Sequence, residues 1–296
     1  MRILILTVAF ILIVGGLAFH FAALRIFNLF VPKDSESFIM AQAVAYGPDS
    51  RQKLDIYKPS IATSPLPVLL FVHGGSWKDG SREGYEFVGR AFAARGYLTL
   101  VINYRLLPDH KFPAFVEDVA LAIAWAEKQA AGFDGDAKRI YVVGHSAGAY
   151  NAALAILDRK YLVAAGVDAS SLRAVATLAG PFDFLPLDTP VTIATFGGVA
   201  DQASTQPINF ARGDAPPFLL LTGTEDTTVF PKNSRALEKR LLELGAVVEA
   251  REYEGVGHVG ILTAIANPFR REDVPVLDDV LSFFAKHAKP QGMVLR

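Results

Sequence analysis

The first feature of the sequence that could do chemistry is a serine set between two glycines. Residues 144–148 read GHSAG, after the apolar stretch 140–143 and before the alanine-rich stretch 149–157. A strand, a tight turn and a helix in this order expose a serine hydroxyl at the end of a sheet, and the glycines leave space around the strained turn. The order predicts that Ser146 is a nucleophile, whereas the five letters alone would also fit an ordinary glycine-rich turn.

A serine hydroxyl needs a neighbouring base before it can attack. Of the six histidines, His258 lies in the glycine-rich segment 255–260, directly after the strand-like stretch 248–253. A flexible glycine-rich loop after a strand is the right context for a presented base, so we predict that His258 is the base. His145 adjoins the serine and is expected to point away from it. The remaining histidines lie in an apolar segment, a glycine turn or polar surroundings: His20, His73, His110 and His287.

The acid that orients the base is expected between the serine and the histidine in chain order. Asp226 directly follows the apolar stretch 218–221 and its short turn, and it precedes His258. Its predicted task is to hold the imidazole in one tautomer and to stabilise the imidazolium. Glu225 and Asp201 are the rival acids, and capping of a helical turn is the alternative role for Asp226.

Residues 73–77 read HGGSW and follow another apolar stretch. Backbone N–H groups of such a turn can face the oxygen that becomes negative during acyl transfer, because glycines let the backbone approach it. We predict such donors at Gly74 and Gly75, joined by Ala147, the residue after the serine. His73 is predicted to orient this turn rather than to act as a base.

Three aromatic residues near these turns are predicted to line a substrate pocket: Trp77, Tyr104 and Phe196. For Trp77 ordinary packing of a large aromatic side chain is an equal alternative. Phe196 belongs to the segment 184–212, which has few periodic cues. We predict this segment to be a small lid or pocket wall, with a disordered surface loop as the alternative.

The elements that must position these residues alternate along the chain. Strand-like stretches cover residues 53–57, 68–72, 98–102, 140–143, 174–178, 218–221 and 248–253. Helical spacing of apolar residues separates them, for example at 115–124 and at 237–244. Strands that are apolar on both faces suit a mostly parallel, doubly wound α/β sheet with helices on both faces, whose ligand sites follow the strands.

Composition narrows the classes of function. The chain has 296 residues, 51% of them hydrophobic, which is enough for one large core. Its 29 basic and 30 acidic residues balance to a net charge of −1, so nucleic acid is not expected as a partner. The absence of cysteine excludes disulfides, thiolate metal sites and a cysteine nucleophile. No oligomeric state is predicted.

The N-terminal stretch differs from the rest, because residues 3–24 are almost wholly apolar, with Arg2 and Arg25 at its ends. About 20 such residues span a bilayer as a helix. We predict a membrane anchor over residues 1–25, a polar connector over 26–40, the enzyme domain over 41–290 and a tail over 291–296. The domain is expected on the exported side of the membrane. A cleaved signal peptide, giving a secreted or periplasmic protein, and a buried core helix are the alternatives.

Together the motifs at 73–77 and 144–148, the run NYRL at 103–106 and the pair Gly257-His258 resemble the α/β-hydrolase carboxylesterases. The likeness is strongest to the hormone-sensitive-lipase-like and feruloyl-esterase-like branch. The resemblance implies the α/β-hydrolase fold from about residue 41 onward and ester hydrolysis through an acyl-enzyme. It implies no metal and no organic cofactor.

The resemblance supports the reaction class better than the substrate. Relatives that cleave aryl formamides or prenylcysteine methyl esters share the same motifs, so these substrates are alternatives to other small-molecule esters. Hormone-sensitive-lipase-like members carry a helical cap at the N-terminus, and an apolar stretch takes that place here. A binding protein without catalysis on the same scaffold is the alternative outside the enzymes.

Overall fold

Eight strands form one sheet in the order β1-β2-β4-β3-β5-β6-β7-β8 in the computed structural model, which describes residues 24–62 and 65–288. Strands β3 to β8 run parallel to their neighbours, whereas β1 and β2 form an antiparallel edge, with β2 also antiparallel to β4. The strands are β1 Ser37–Ala45, β2 Lys53–Pro59, β3 Leu66–Val72, β4 Leu98–Ile102, β5 Gly135–His145, β6 Leu172–Leu178, β7 Phe218–Gly223 and β8 Val248–Tyr253.

Helices cover both faces of the sheet. They are α1 (described over residues 24–30), α2 Glu86–Ala93, α3 Ala114–Gln129, α4 Ala147–Leu157, α5 Arg159–Ala165, α6 Pro190–Phe196, α7 Lys232–Glu243, α8 Gly260–Thr263 and α9 Val276–Lys286. Alternate residues of a strand face opposite sides. In β3, Leu70 and Val72 therefore pack into the core under α3 and α4, and Leu69 and Phe71 into the core under α2 and α9. This double burial explains why the stretch is apolar without alternation.

The α/β architecture predicted from the sequence is confirmed, and each predicted strand is present. The edge strand β1 was not predicted, because its residues alternate between exposed and partly buried positions and lack an apolar run. It begins at Ser37, so the structured domain starts inside the segment predicted as a connector over residues 26–40.

Residues 24–36 also pack against the domain rather than forming a free linker. The ring of Phe27 lies 5.3 Å from that of Phe87 in an edge-on contact. The Asn28 side chain donates to the carbonyl of Glu83 at 2.9 Å and accepts from the N–H of Phe87 at 3.0 Å. Asp34 accepts two hydrogen bonds from the guanidinium of Arg270, each 2.8 Å long.

Within residues 24–62 and 65–288, no helix is both long and apolar enough to cross a bilayer. The anchor predicted over residues 1–25 lies outside the described residues except for its last two, and the tail predicted over 291–296 lies wholly outside them.

The predicted lid, residues 184–212, is folded rather than a disordered loop. It contains α6 and two single-turn 3₁₀ helices, Gln202–Thr205 and Pro207–Phe210. Thr189 caps the start of α6 in a capping box. Its hydroxyl accepts from the Thr192 N–H at 3.2 Å, and the Thr192 hydroxyl accepts from the Thr189 N–H. The segment is tied to the domain by a 2.6 Å hydrogen bond from the Tyr150 hydroxyl to the carbonyl of Thr205.

Candidate active site

Ser146 occupies a sharp turn between the end of β5 and the start of α4. Its backbone angles are φ 55° and ψ −123°, which a residue with a side chain adopts only under strain. The turn is held by the Ser146 N–H, which donates to the carbonyl of Leu178 on β6 at 2.8 Å. A Cβ at Gly144 would lie 2.6 Å from the Cα of Ala149, and one at Gly148 would lie 2.1 Å from the carbonyl oxygen of Val72. The turn can therefore form only with glycine at both flanking positions.

The structure brings Ser146, His258 and Asp226 into one chain of hydrogen bonds. His258 Nε2 lies 2.8 Å from Ser146 Oγ, and His258 Nδ1 lies 2.7 Å from Asp226 Oδ2. The three residues follow β5, β8 and β7, so the edge at which parallel strands end assembles them. The arrangement supplies a hydroxyl, a nitrogen that can take its proton and a carboxylate that holds the ring.

The Asp226 carboxylate is fully enclosed and has partners on both oxygens. Its Oδ1 accepts from the N–H groups of Thr228 and Val229 at 2.9 and 2.8 Å, while Oδ2 faces His258. These bonds hold the bend at residues 227–229, where no helix begins, so Asp226 does not cap a helix. The rival Glu225 is exposed, and the rival Asp201 accepts from the Ala203 N–H at the start of a 3₁₀ helix.

The glycine turn after β3 lies against the serine. A Cβ at Gly74 would be 3.0 Å from the Cβ of Ser146. Gly75 has φ 135°, and its carbonyl accepts from the N–H groups of Lys78 and Asp79. Among the described residues, the N–H groups of Gly74 and Gly75 have no backbone acceptor. The N–H of Ala147, at the first position of α4, has no intrahelical acceptor either. All three predicted donors are thus without a backbone partner.

His73 is buried behind this turn, with its ring stacked on Tyr104 at 4.4 Å and on Tyr85 at 5.5 Å. Its Nδ1 lies 2.6 Å from the carbonyl oxygen of Gly74. Burial lowers the pKa of His73 to about 3, so the ring is neutral. These contacts fit the predicted orienting role better than that of a base.

Tyr104 does not line a pocket, which corrects the prediction made from the sequence. It is wholly buried, and its hydroxyl donates to the carbonyl of His73 at 2.9 Å. The sequence placed Tyr104 after a strand at the correct edge, but the side chain packs under the glycine turn and supports it.

Trp77 and Phe196 belong to one aromatic cluster beside α4. Their ring centroids lie 4.9 Å apart, and both are almost completely buried. Tyr150, whose N–H donates to the carbonyl of Ser146, contacts both rings at 5.2 and 5.4 Å. The Trp77 indole N–H donates to the Asn151 side chain at 2.9 Å. Both predicted pocket residues therefore pack against Tyr150, one helical turn after the serine, and are buried beneath the protein surface.

For His145, which adjoins the serine, the sequence predicted only that the side chain would point away from Ser146 and gave no contact. Its Nε2 lies 3.1 Å from the carbonyl oxygen of His258. No motif in the sequence signals this contact, because the two residues are 113 positions apart.

Within residues 24–62 and 65–288, no cluster of three or more histidine, aspartate or glutamate side chains is arranged to hold a metal ion.

The family model of BD-FAE matches residues 54–241, a range that includes Gly74, Ser146 and Asp226. The chain belongs to the BD-FAE family. The resemblance to α/β-hydrolase carboxylesterases is thereby confirmed, and His258 is the one residue of the hydrogen-bonded chain that lies beyond the matched range.

Curated proteins similar to this BD-FAE member carry esterase names. Esterase LipC of Mycobacterium tuberculosis (strain ATCC 25618 / H37Rv) is 34% identical over 244 residues, which cover 75% of this chain and 60% of LipC. The probable isoprenylcysteine alpha-carbonyl methylesterase ICMEL1 of Oryza sativa subsp. japonica is 28% identical, over 82% of this chain and 62% of that protein. The chain thus spans about 60% of the length of these relatives.

Among solved structures, esterase B from Lactobacillus Rhamnosis (HN001) superimposes with a TM-score of 0.80. The superposition covers 93% of this chain and 93% of the esterase, and the two sequences are 21% identical. At that identity the likeness establishes the α/β-hydrolase fold.

Proposed function

We propose that this BD-FAE member hydrolyses carboxylic esters of small molecules, with Ser146 as nucleophile, His258 as base and Asp226 as the acid that orients it. The observation that carries the proposal is the unbroken hydrogen-bonded chain from Ser146 Oγ through both nitrogens of His258 to Asp226. The esterase names of the relatives support the same reaction class.

The reaction proceeds in two acyl transfers. Ser146 Oγ attacks the carbonyl carbon while His258 Nε2 takes the hydroxyl proton, and the carbonyl oxygen becomes negative. The N–H groups of Gly74, Gly75 and Ala147 stabilise that oxygen. The bond to the alcohol oxygen breaks as His258 returns the proton to it. Water then attacks the acyl-serine, giving a proton to His258, and the acid leaves as Ser146 Oγ regains that proton.

The test is hydrolysis of p-nitrophenyl esters of increasing acyl length, set beside an aryl formamide and a prenylcysteine methyl ester. We expect turnover of at least one ester class and labelling of Ser146 by a fluorophosphonate probe. A purified, folded chain that neither turns over any of these compounds nor reacts with the probe would falsify the proposal.

Methyl esters of prenylcysteine are the second candidate substrate class. The observation that favours them is the group of relatives named as isoprenylcysteine alpha-carbonyl methylesterases, which are 24 to 28% identical to this chain. The substrate panel separates the two classes, because only a methylesterase would prefer the prenylcysteine compound over simple acyl esters. Preferred turnover of the aryl formamide in the same panel would instead indicate a formamide hydrolase.

A binding protein without catalysis is the candidate from another functional class. Such proteins often lack one of the reacting groups. Here serine, imidazole and carboxylate are all present and lie within hydrogen-bond distance of one another, which supports catalysis instead.

We propose that the rings of Trp77 and Phe196, although buried, lie behind the place where the substrate's acyl group binds. Tyr150 links these rings to the turn, since its backbone N–H donates to Ser146 and its ring contacts both. The close packing of this cluster favours a short acyl group, because no apolar chain can enter without moving an aromatic side chain.

We also propose that residues 3–24 anchor the chain in a membrane, with the domain on the exported side. Beside the apolar sequence, the exposed face of α1 supports this, because Ile26, Leu29 and Phe30 are 57, 72 and 77% exposed. Leu29 and Phe30 lie three and four positions after Ile26, on the same face of the helix. Membrane fractionation with intact-mass measurement is the test. Recovery of a soluble, shortened chain would favour signal cleavage. Protease treatment of intact cells shows on which side of the membrane the domain lies.

A further inference from the structure

The residue before the nucleophile holds the backbone of the base. The ring of His145 is buried at the end of β5, and its centroid lies 5.0 Å from that of His258. Its Nε2 lies 3.1 Å from the carbonyl oxygen of His258. Among the described residues, this is the hydrogen bond that the His258 carbonyl accepts.

The partner atom determines the tautomer of His145. A carbonyl oxygen can only accept a hydrogen bond, so Nε2 of His145 must carry the proton. Burial lowers the pKa of His145 to about 3, and the neutral ring then leaves Nδ1 without a proton. Nδ1 is buried, has no hydrogen-bond partner among the residues that the structure describes, and faces Gly74, where an added Cβ would be 2.9 Å away. His145 thus contacts the glycine turn with one ring nitrogen and the base with the other.

Backbone hydrogen bonds hold the loop that carries His258 at both of its ends. At its beginning, the Gly255 N–H donates to the Thr224 hydroxyl at 3.0 Å, and the Val256 N–H donates to the carbonyl of Tyr253 at 3.4 Å. The carbonyl of Val256 accepts from the Glu225 N–H at 3.1 Å. On either side of His258, carbonyls accept from N–H groups of α8: Ile261 donates to Gly257 at 3.3 Å, and Leu262 and Thr263 donate to Val259 at 3.1 and 3.0 Å. The carbonyl of His258 itself is attached to the sheet through His145.

We propose that His145 is a positioning residue that sets the distance between Ser146 and His258. A closed ring of contacts links them: the peptide from His145 to Ser146, the bond from Ser146 Oγ to His258 Nε2, and the bond from the His258 carbonyl back to His145. Without the last bond, the loop keeps His258 but no longer holds its Nε2 at 2.8 Å from the hydroxyl. The inference rests on the proposed ester hydrolysis.

The test compares two replacements of equal length, His145→Gln and His145→Met. Glutamine places an N–H donor near the position of the histidine Nε2, whereas methionine fills similar space without a donor. We expect His145→Met to lower kcat by about 10²-fold, the cost of a misplaced catalytic group, with little change in KM. His145→Gln should regain most of that loss.

Thermal unfolding separates this effect from general destabilisation. His287→Gln and His287→Met form the matched control pair, because that ring lies against Phe283 on α9 and its buried Nε2 has no partner within the described part of the chain. Equal kcat losses in His145→Gln and His145→Met, or no loss in His145→Met, would overturn the proposal.

A second readout does not depend on turnover. The proton between His258 Nδ1 and Asp226 gives a downfield ¹H NMR signal while the pair is held together. This signal should persist in His145→Gln and broaden or vanish in His145→Met. If the wild-type chain hydrolyses no ester, the proposed function fails on its own, and an unchanged signal in His145→Met would then separately refute the positioning role.

Discussion

Gly74 lies directly against Ser146, so that a Cβ added at position 74 would be 3.0 Å from the Cβ of the serine. The two residues follow neighbouring parallel strands, β3 and β5, and meet where those strands end. This proximity brings the backbone of the glycine turn to the place where a carbonyl oxygen would become negative.

Gly74→Ala should therefore reduce activity without unfolding the chain. The new methyl group meets Ser146 and, at 2.9 Å, Nδ1 of His145, so the turn must shift by a few tenths of an ångström. Loss of one oxyanion donor lowers kcat by about 10²–10³. Steady-state kinetics of Gly74→Ala beside Gly132→Ala tests this, because a Cβ at Gly132 meets nothing within 4 Å. Similar kinetics for the two variants would contradict the prediction.

Ser146→Ala should lower kcat by about 10⁶ and abolish fluorophosphonate labelling, because the three reacting groups act as a unit. The fold should persist, since the hydroxyl's hydrogen bond is to His258 and the turn is held by backbone bonds. Single-turnover kinetics and circular dichroism measure both effects. Residual turnover close to that of the wild type would show that another residue is the nucleophile.

Asp226→Asn should lower kcat by about 10⁴, because an amide can donate to Nδ1 and stabilise the wrong tautomer of His258. Glu225→Gln is the matched control, since the neighbouring side chain is exposed. We expect that control to retain wild-type kinetics. A strong loss of kcat in Glu225→Gln together with an active Asp226→Asn would show that Glu225, rather than Asp226, orients the base.

Stability should fall as the pH drops below about 6.5. Burial lowers the pKa of both His73 and His145 to about 3, whereas the unfolded chain keeps the ordinary value of 6.5. Between these values the unfolded state binds more protons, so the free energy of unfolding decreases by about 1.4 kcal/mol per pH unit for each histidine. Urea unfolding at pH 7, 6 and 5 measures this slope.

The His145→Gln variant is the control for that slope, because it removes one of the two neutral histidines. Its free energy of unfolding should change less between pH 7 and 5 than that of the wild type. Equal slopes would mean that His145 does not contribute. Carboxylates with a lowered pKa, such as Glu252 beside Arg235, lose their contribution only below about pH 4.5 and do not confuse the comparison.

Phe196→Ala should destabilise the fold by about 3–5 kcal/mol, the usual cost of removing a fully buried phenylalanine. If the aromatic cluster bounds the acyl group, the variant should also raise the relative rate on longer acyl esters. Phe38→Ala, at a 40% exposed position on β1, is the control. An unchanged chain-length preference in a stable preparation would place the acyl group elsewhere.

The order of apolar stretches, turns and helical patterns along the sequence was enough to predict most of the fold and the reacting groups. An apolar stretch followed by a turn marks a buried parallel strand, and Ser146 and Asp226 each follow such a stretch, whereas His258 follows the more polar strand-like stretch 248–253. Because parallel strands end at one edge of the sheet, residues that follow them must meet. Steric limits around the serine turn likewise require glycine at positions 144 and 148.

Tertiary contacts decided what the order of residues left open. Asp226 rather than Glu225 turns into the protein, Tyr104 packs under the glycine turn, and His145 reaches the carbonyl of His258. The edge strand β1 forms by pairing with β2, without an apolar run of its own. Each of these depends on where distant side chains and backbone groups come within hydrogen-bond or packing distance, and such distances arise only when the sheet and its helices are assembled.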